Sequence, residues 1–144
     1  MNWGHNPVPK TTYPKGKKKK LEIYKGKSIP TRKTRSSISK REYNRVIEEH
    51  GEVCLECNNP YIEIHHARFR SQQGKGNFRN LIPLCKEHHM KCHKDFNYAE
   101  KWREWLVKRY GSYFWCDKYD LWKMGLIKDP TNEEFEKFME SEEK

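Results

Sequence analysis

The segment Cys54–His93, CLECNNPYIEIHHARFRSQQGKGNFRNLIPLCKEHHMKCH, decides the fold. It opens on a Cys-x-x-Cys turn at Cys54 and Cys57, and Tyr61–His65 then mixes apolar with polar side chains, which predicts a short strand. Ser71 to Asn77 is polar and carries Gly74 and Gly76, so a loop is expected there, leading to a second strand near Leu81-Ile82. Lys86 to Lys94 predicts a helix. The order strand, loop, strand, helix places the chain in the α+β class.

The same segment carries two sets of metal-ligand candidates. Cys54 and Cys57 form one pair, and Cys85 and His88 supply a second with the same spacing. Together they suit a closed tetrahedral zinc site, which is structural because no coordination position is left open. Cys92 lies four residues after His88 on the same helical face and is the rival for the fourth position; the shared x-x spacing favours His88. The second set is His65, His66, Asn80, His89 and His93. On a helix, His89 and His93 stack on one face while His88 turns roughly 100° away. On a strand, neighbours point to opposite faces, so His65 and His66 divide into one metal ligand and one residue with another task. Phosphodiester hydrolysis needs that division: a base to deprotonate water and a cation to stabilise the developing charge.

Ile64-His65-His66, Arg79-Asn80-Leu81-Ile82-Pro83-Leu84-Cys85, His88-His89 and His93 resemble the HNH endonuclease family, in particular its zinc-ribbon members common in phages, and the histidine spacing is similar to that of colicin-type DNases. The resemblance covers about 40 residues. It implies a ββα-metal (His-Me finger) core with a zinc knuckle. His66 matches the general base, His65 and His89 match metal ligands, and His93 matches the third ligand of the colicin-type enzymes. Asn80 matches the central Asn, which ties the loop and helps orient the base. Cys54, Cys57, Cys85 and His88 would hold a structural zinc, although the zinc-ribbon members usually place Cys where His88 stands. Many members have Asp in place of His65; an all-imidazole site favours Ni²⁺, Zn²⁺ or Mn²⁺ over Mg²⁺. The implied products carry a 5′-phosphate and a 3′-hydroxyl, and a single site nicks one strand.

Outward from this core, Ser39 and Glu42 have capping-box spacing and Ile38 can staple onto Tyr43, predicting a helix that buries Tyr43, Val46 and Ile47 and ends at Gly51. Tyr98–Tyr110 carries Trp102, Trp105 and Leu106 at helical spacing, with Gly111 as a stop, and Glu133–Met139 carries Phe135, Phe138 and Met139. These aromatics are assigned to packing. The chain therefore divides into a basic arm (1–37), the nuclease core (38–96), a helical packing extension (97–128) and an acidic helix or tail (129–144).

With 144 residues and an apolar fraction of 34%, the chain suits one domain stabilised weakly by burial alone. Five cysteines, four of them interleaved with histidines, fit metal ligation better than disulfides. No apolar run approaches a membrane span, and the N-terminus lacks a signal-peptide core, so a cytoplasmic setting is expected. The net charge of +10 favours a polyanionic partner without separating DNA from RNA or a membrane surface, and the resemblance implies double-stranded DNA. Residues 1–50 hold fourteen Lys and Arg against four Glu, including Lys17–Lys20; this arm is expected to stay flexible until it meets phosphates. Arg68, Arg70, Lys75 and Arg79 are expected to clamp the DNA backbone, while Glu63 either orients an Arg or faces solvent. Asp129–Lys144 has seven acidic residues against two Lys and should avoid DNA, shielding the basic face or docking a protein partner such as a phage terminase. Three rival readings remain: a non-catalytic zinc-ribbon binding module, an RNA-directed nuclease, and a packaging factor active only beside its partner.

Overall fold

The computed structural model describes Gly16 and residues 20–143. Residues 1–15 and 17–19, including three of the four consecutive lysines, lie outside the described residues, as does Lys144. The fold mixes helices with two small antiparallel sheets, as expected for the α+β class.

The chain enters through a hairpin, β1 (Glu22–Tyr24) and β2 (Lys27–Ile29), whose Lys25-Gly26 turn has both residues at positive φ, as the right-handed twist of a tight hairpin demands. A short helix α1 (Arg32–Ser36) follows, with the Thr31 side chain accepting from the Thr34 N–H. This corrects the expectation of a flexible arm to residue 37, because residues 22–37 are folded. Ile29 is buried, Tyr24 packs edge-on to Trp122 at 4.9 Å, and Arg35 reaches acidic partners more than 80 residues along the chain. Charge composition carries no trace of such distant partners.

Helix α2 (Lys40–His50) starts at Ser39, whose hydroxyl accepts the Glu42 N–H, and ends at Gly51 with φ 80°. Only half of the expected capping box forms. The Glu42 carboxylate instead accepts the Phe78 N–H at 2.7 Å, tying the helix to the loop. Val46 is fully buried, with Tyr43 and Ile47 half-buried beside it. β3 (Ile62–His66) pairs with the wholly buried β4 (Leu81–Cys85), setting His65 opposite Ile82 and His66 opposite Leu81. Helix α3 (Lys86–Lys94) packs on this pair, and α4 (Phe96–Tyr110) packs on α3. Beyond it come α5 (Lys118–Lys123), closed by a reciprocal Asp117/Asp120 capping box, and α6 (Asn132–Glu142). The first core gathers Val46, Leu81, Ile82, Leu84, Trp102 and Leu106; the second gathers Ile29, Leu121, Trp122, Phe135 and Met139. The aromatic spacings expected to serve packing do so. No described helix is long and apolar enough to cross a membrane.

Two charged residues take a different place from the one expected. Arg79, with 2% of its side chain exposed, donates to Glu143 at 2.8 Å and to Glu136 at 3.0 Å. Lys75, also 2% exposed, pairs with Asp120 at 3.1 Å. Neither is placed to clamp a phosphate, since both are spent on internal carboxylates. The acidic C-terminal segment is correspondingly no free tail: α6 buries Phe135 and Met139, its Glu136 pairs with both Arg79 and Arg45, and its C-cap Glu143 pairs with Arg79. Glu136→Ala would leave Arg79 with one partner inside the protein, and is expected to lower unfolding free energy by about 2–3 kcal/mol. An unchanged urea midpoint at constant slope would contradict this.

His50 sits against Trp105 at 5.6 Å, its Nε2 buried without a partner. Burial, with Arg109 adding to it, pulls this imidazole from its usual 6.5 to about 4. The fold holds it neutral, so its contribution to stability is complete above pH 6.5 and is lost as the pH falls toward 4, where the unfolded chain takes up the proton first. Urea midpoints are expected to fall over that window, and His50→Leu to flatten part of the slope. An identical slope in the variant counts against the assignment.

Candidate metal centres and catalytic cleft

The knuckle before β3 and the β4–α3 junction bring Cys54, Cys57, Cys85 and His88 together, their donor atoms all within 4.8 Å of one another. Cys57 Sγ lies 3.8 Å from Cys85 Sγ, and His88 Nδ1 lies 3.6 Å from Cys54 Sγ and 3.1 Å from Cys85 Sγ. Zn–S bonds of about 2.3 Å at tetrahedral angles set sulfurs roughly 3.8 Å apart, so the group fits a closed tetrahedral ion. Burial works against ionising Cys54, yet the backbone N–H groups of Cys85, Cys57 and Glu56 outweigh it and bring the thiol down to about 6, toward the thiolate a metal requires. Cys92 stays outside the group: it is buried among apolar neighbours and its thiol is pushed up to about 11. His88 therefore takes the fourth place.

The second group joins β3 to the solvent-facing side of α3. His65, His89 and His93 also have donor nitrogens within 4.8 Å of one another. His65 is 1% exposed, its Nε2 has no hydrogen-bond partner, and burial, reinforced by His89 and His93, draws its pKa down to about 3. The His65 ring meets those of His89 and His93 with centroids 4.9 and 5.4 Å apart, and three clustered imidazoles are a donor set a borderline divalent ion takes. Glu63 accepts from His89 Nδ1 at 2.7 Å, which leaves the lone pair on Nε2, 3.2 Å from His93 Nε2. Phe69 stacks on His93 with ring centroids 4.9 Å apart and fixes its plane.

Strand alternation separates the two neighbouring histidines as expected. His65 joins the metal-ligand group, whereas His66 Nε2 donates to the Ser36 carbonyl at 2.8 Å. That bond puts the proton on Nε2 and leaves Nδ1 as the basic nitrogen. Burial lowers the His66 pKa, against the pull of the Ser36 carbonyl, and Arg70 and His89 add to the lowering, so the ring is neutral at pH 7. His65, His66, His89 and His93 all line one cleft of about 460 Å³, with Arg70 and Ser71 at its edge.

Asn80 is fully buried and ties the loop between the strands. It accepts the Arg68 N–H at 2.8 Å and donates to the carbonyls of Arg68 and Lys75 at 3.2 and 2.9 Å. It makes no hydrogen bond to His66, whose ring is held instead by the Ser36 carbonyl. The loop closes this tightly because Gly74 lacks a Cβ, which would sit 1.8 Å from the Arg68 carbonyl. Of the four basic residues expected on phosphate, Arg70 borders the cleft and Arg68 lies over Trp115 in a separate groove, while Lys75 and Arg79 are buried. The sequence reading missed three contributors. Ser36 acts through its carbonyl, which no side-chain pattern reveals. Glu63 shares a strand face with His65 by its i, i+2 spacing, a signal that could have been read. Phe69 lies in no motif, and nothing in the sequence pairs it with His93.

No protein-family model matches the chain, and no curated protein matches it either.

Proposed function

We propose that this chain is a metal-dependent HNH endonuclease that hydrolyses DNA phosphodiester bonds, with residues 54–93 as its ββα-metal unit. The observation that carries the reading is the pairing, in one cleft, of the His65/His89/His93 donor group with a neutral histidine whose proton is held on the opposite nitrogen. A metal-binding fold needs no such spare base.

In this reading His66 Nδ1 takes a proton from a water molecule as its oxygen attacks phosphorus. The bond from phosphorus to the 3′ oxygen breaks and that oxygen takes a proton from solvent, leaving a 5′-phosphate and a 3′-hydroxyl. A divalent ion held by His65, His89 and His93 would supply Lewis-acid stabilisation of the charge on phosphate and leaving oxygen. Glu63 and Phe69 hold two of those rings in place. Arg70, exposed at the edge of the cleft, is the arginine best placed to meet the scissile strand's backbone, with the basic N-terminal residues adding salt-sensitive affinity. The Cys54, Cys57, Cys85, His88 group would hold a structural zinc that pins β4 to the knuckle.

The second reading, a non-catalytic zinc-ribbon module, gives no task to His65, His66, His89 and His93. The partner-dependent reading, beside a phage terminase, keeps the outer face of α6 as its acidic dock: the helix packs Phe135 and Met139 into the protein's own core and leaves Glu133 and Glu140 exposed. The test is nicking of supercoiled plasmid by metal-stripped protein after adding back Mg²⁺, Mn²⁺, Ni²⁺ or Zn²⁺, with single-stranded RNA of matched length alongside. Metal-dependent nicking of DNA supports the proposal; DNA binding without cleavage under every ion returns the binding module, and preferential RNA cleavage the RNA-directed enzyme.

A further inference from the structure

The Ser36 carbonyl that orients His66 comes from a segment 30 residues earlier in the chain, so something must hold that segment in place. The strap from Arg35 to Ser37 is pinned from several sides. Arg35 grips Asp117 with two donors, Nε and Nη2, both at 2.7 Å, and Nη2 reaches Asp120 at 2.8 Å. These side chains are only 11–19% exposed. The carboxylates cannot follow a moving strap, because Asp117 and Asp120 also form the capping box of α5, and Asp120 is held by Lys75. From below, Gly76 N–H donates to the Arg35 carbonyl at 3.1 Å, and a Cβ on Gly76 would lie 2.1 Å from the Ser37 carbonyl oxygen. Arg70 Nε adds a bond to Ser36 Oγ at 3.1 Å.

We infer that Arg35 is a positioning residue for the general base: by locking the strap to α5, it holds the Ser36 carbonyl on His66 Nε2 and so fixes the ring plane and the position of its proton. This rests on the nuclease reading for its consequence but not for its geometry. A hydrogen bond from one backbone carbonyl fixes a ring only as well as that carbonyl is fixed. Arginine suits the task because its planar fork sets direction as well as distance, which a lysine ammonium does not.

The experiment compares the full-length, zinc-loaded protein with Arg35→Lys, Arg35→Met and the control Arg45→Met, which breaks a similarly half-buried ion pair with Glu136 away from the strap. Two readouts are taken: the Nε2–H resonance and tautomer state of His66 by ¹⁵N NMR, and kcat and KM for plasmid nicking. Arg35→Lys keeps the charge and is the variant to rely on if Arg35→Met does not fold. It is expected to lose the slowly exchanging His66 Nε2–H signal and to lower kcat by about tenfold or more with KM nearly unchanged, the size of effect a small misplacement of a reacting group produces. Arg45→Met should leave both readouts at wild type. A retained His66 signal with wild-type kcat in Arg35→Lys overturns the inference, as does an equal fall in both readouts for Arg45→Met. If the wild type nicks under no ion, the nuclease reading fails while the NMR comparison still decides the strap.

Discussion

Replacing His66 with alanine is expected to lower the plasmid-nicking rate by about 10²–10⁴-fold, the usual contribution of a positioned general base. The loss should fall on kcat, because the ring takes no part in either metal-ligand group. His66 is half-buried at the edge of the cleft, and its one hydrogen bond goes to the Ser36 carbonyl, so the variant should fold with a stability loss near that of a single hydrogen bond, about 1 kcal/mol. Metal content should be unchanged. A variant that is folded, loaded with metal and still nicks within a few-fold of wild type would remove His66 from the chemistry. His65→Ala should separate from it, since that change removes a buried member of the candidate donor group and should also lower the metal content of the protein.

The second large effect concerns the Cys54, Cys57, Cys85, His88 group. Stripping zinc with a strong chelator is expected to lower the melting temperature by about 10–20 °C, because structural zinc contributes its binding free energy to folding. The physical case lies in what the ion would join. β4 belongs to the first core, and α3 joins it through Cys92, but the knuckle around Cys57 is mostly exposed and has few apolar contacts of its own. Cys57→Ser separates metal from packing. Cys57 is exposed, so serine leaves no cavity, and any loss of bound zinc and of melting temperature is the loss of a ligand. Equal melting curves with and without chelator, or a Cys57→Ser chain that still holds two ions, would dispose of the structural zinc.

Much of the site was readable because its signals are local. The Cys-x-x-Cys and Cys-x-x-His spacings, the i, i+4 pair His89 and His93, and the alternation of His65 and His66 all depend on backbone periodicity, which a sequence carries directly. The helices α2, α4 and α6 announced themselves through a capping residue or apolar spacing, α3 fell on its expected Lys86–Lys94, and the two paired strands fell within a few residues of their expected places. The hairpin and α1 did not. Their charges look like a solvated arm until Asp117 and Asp120, far along the chain, are brought up to neutralise Arg35. Lys75 and Arg79 misled for the same reason. A basic residue beside a catalytic motif reads as a phosphate clamp unless its buried partner is known, and those partners come from α5 and α6.

The sequence by itself determined the candidate ligand set, the strand, loop, strand, helix order and the opposite facing of His65 and His66, because each follows from residue type and short-range geometry. Only the tertiary structure decided that His88 rather than Cys92 completes the thiolate group, that Ser36 and not Asn80 bonds the His66 ring, and that two of the four expected phosphate contacts are internal ion pairs. Each of these depends on which distant segments meet, and long-range pairing of charges or of a backbone carbonyl leaves no periodic mark on the chain.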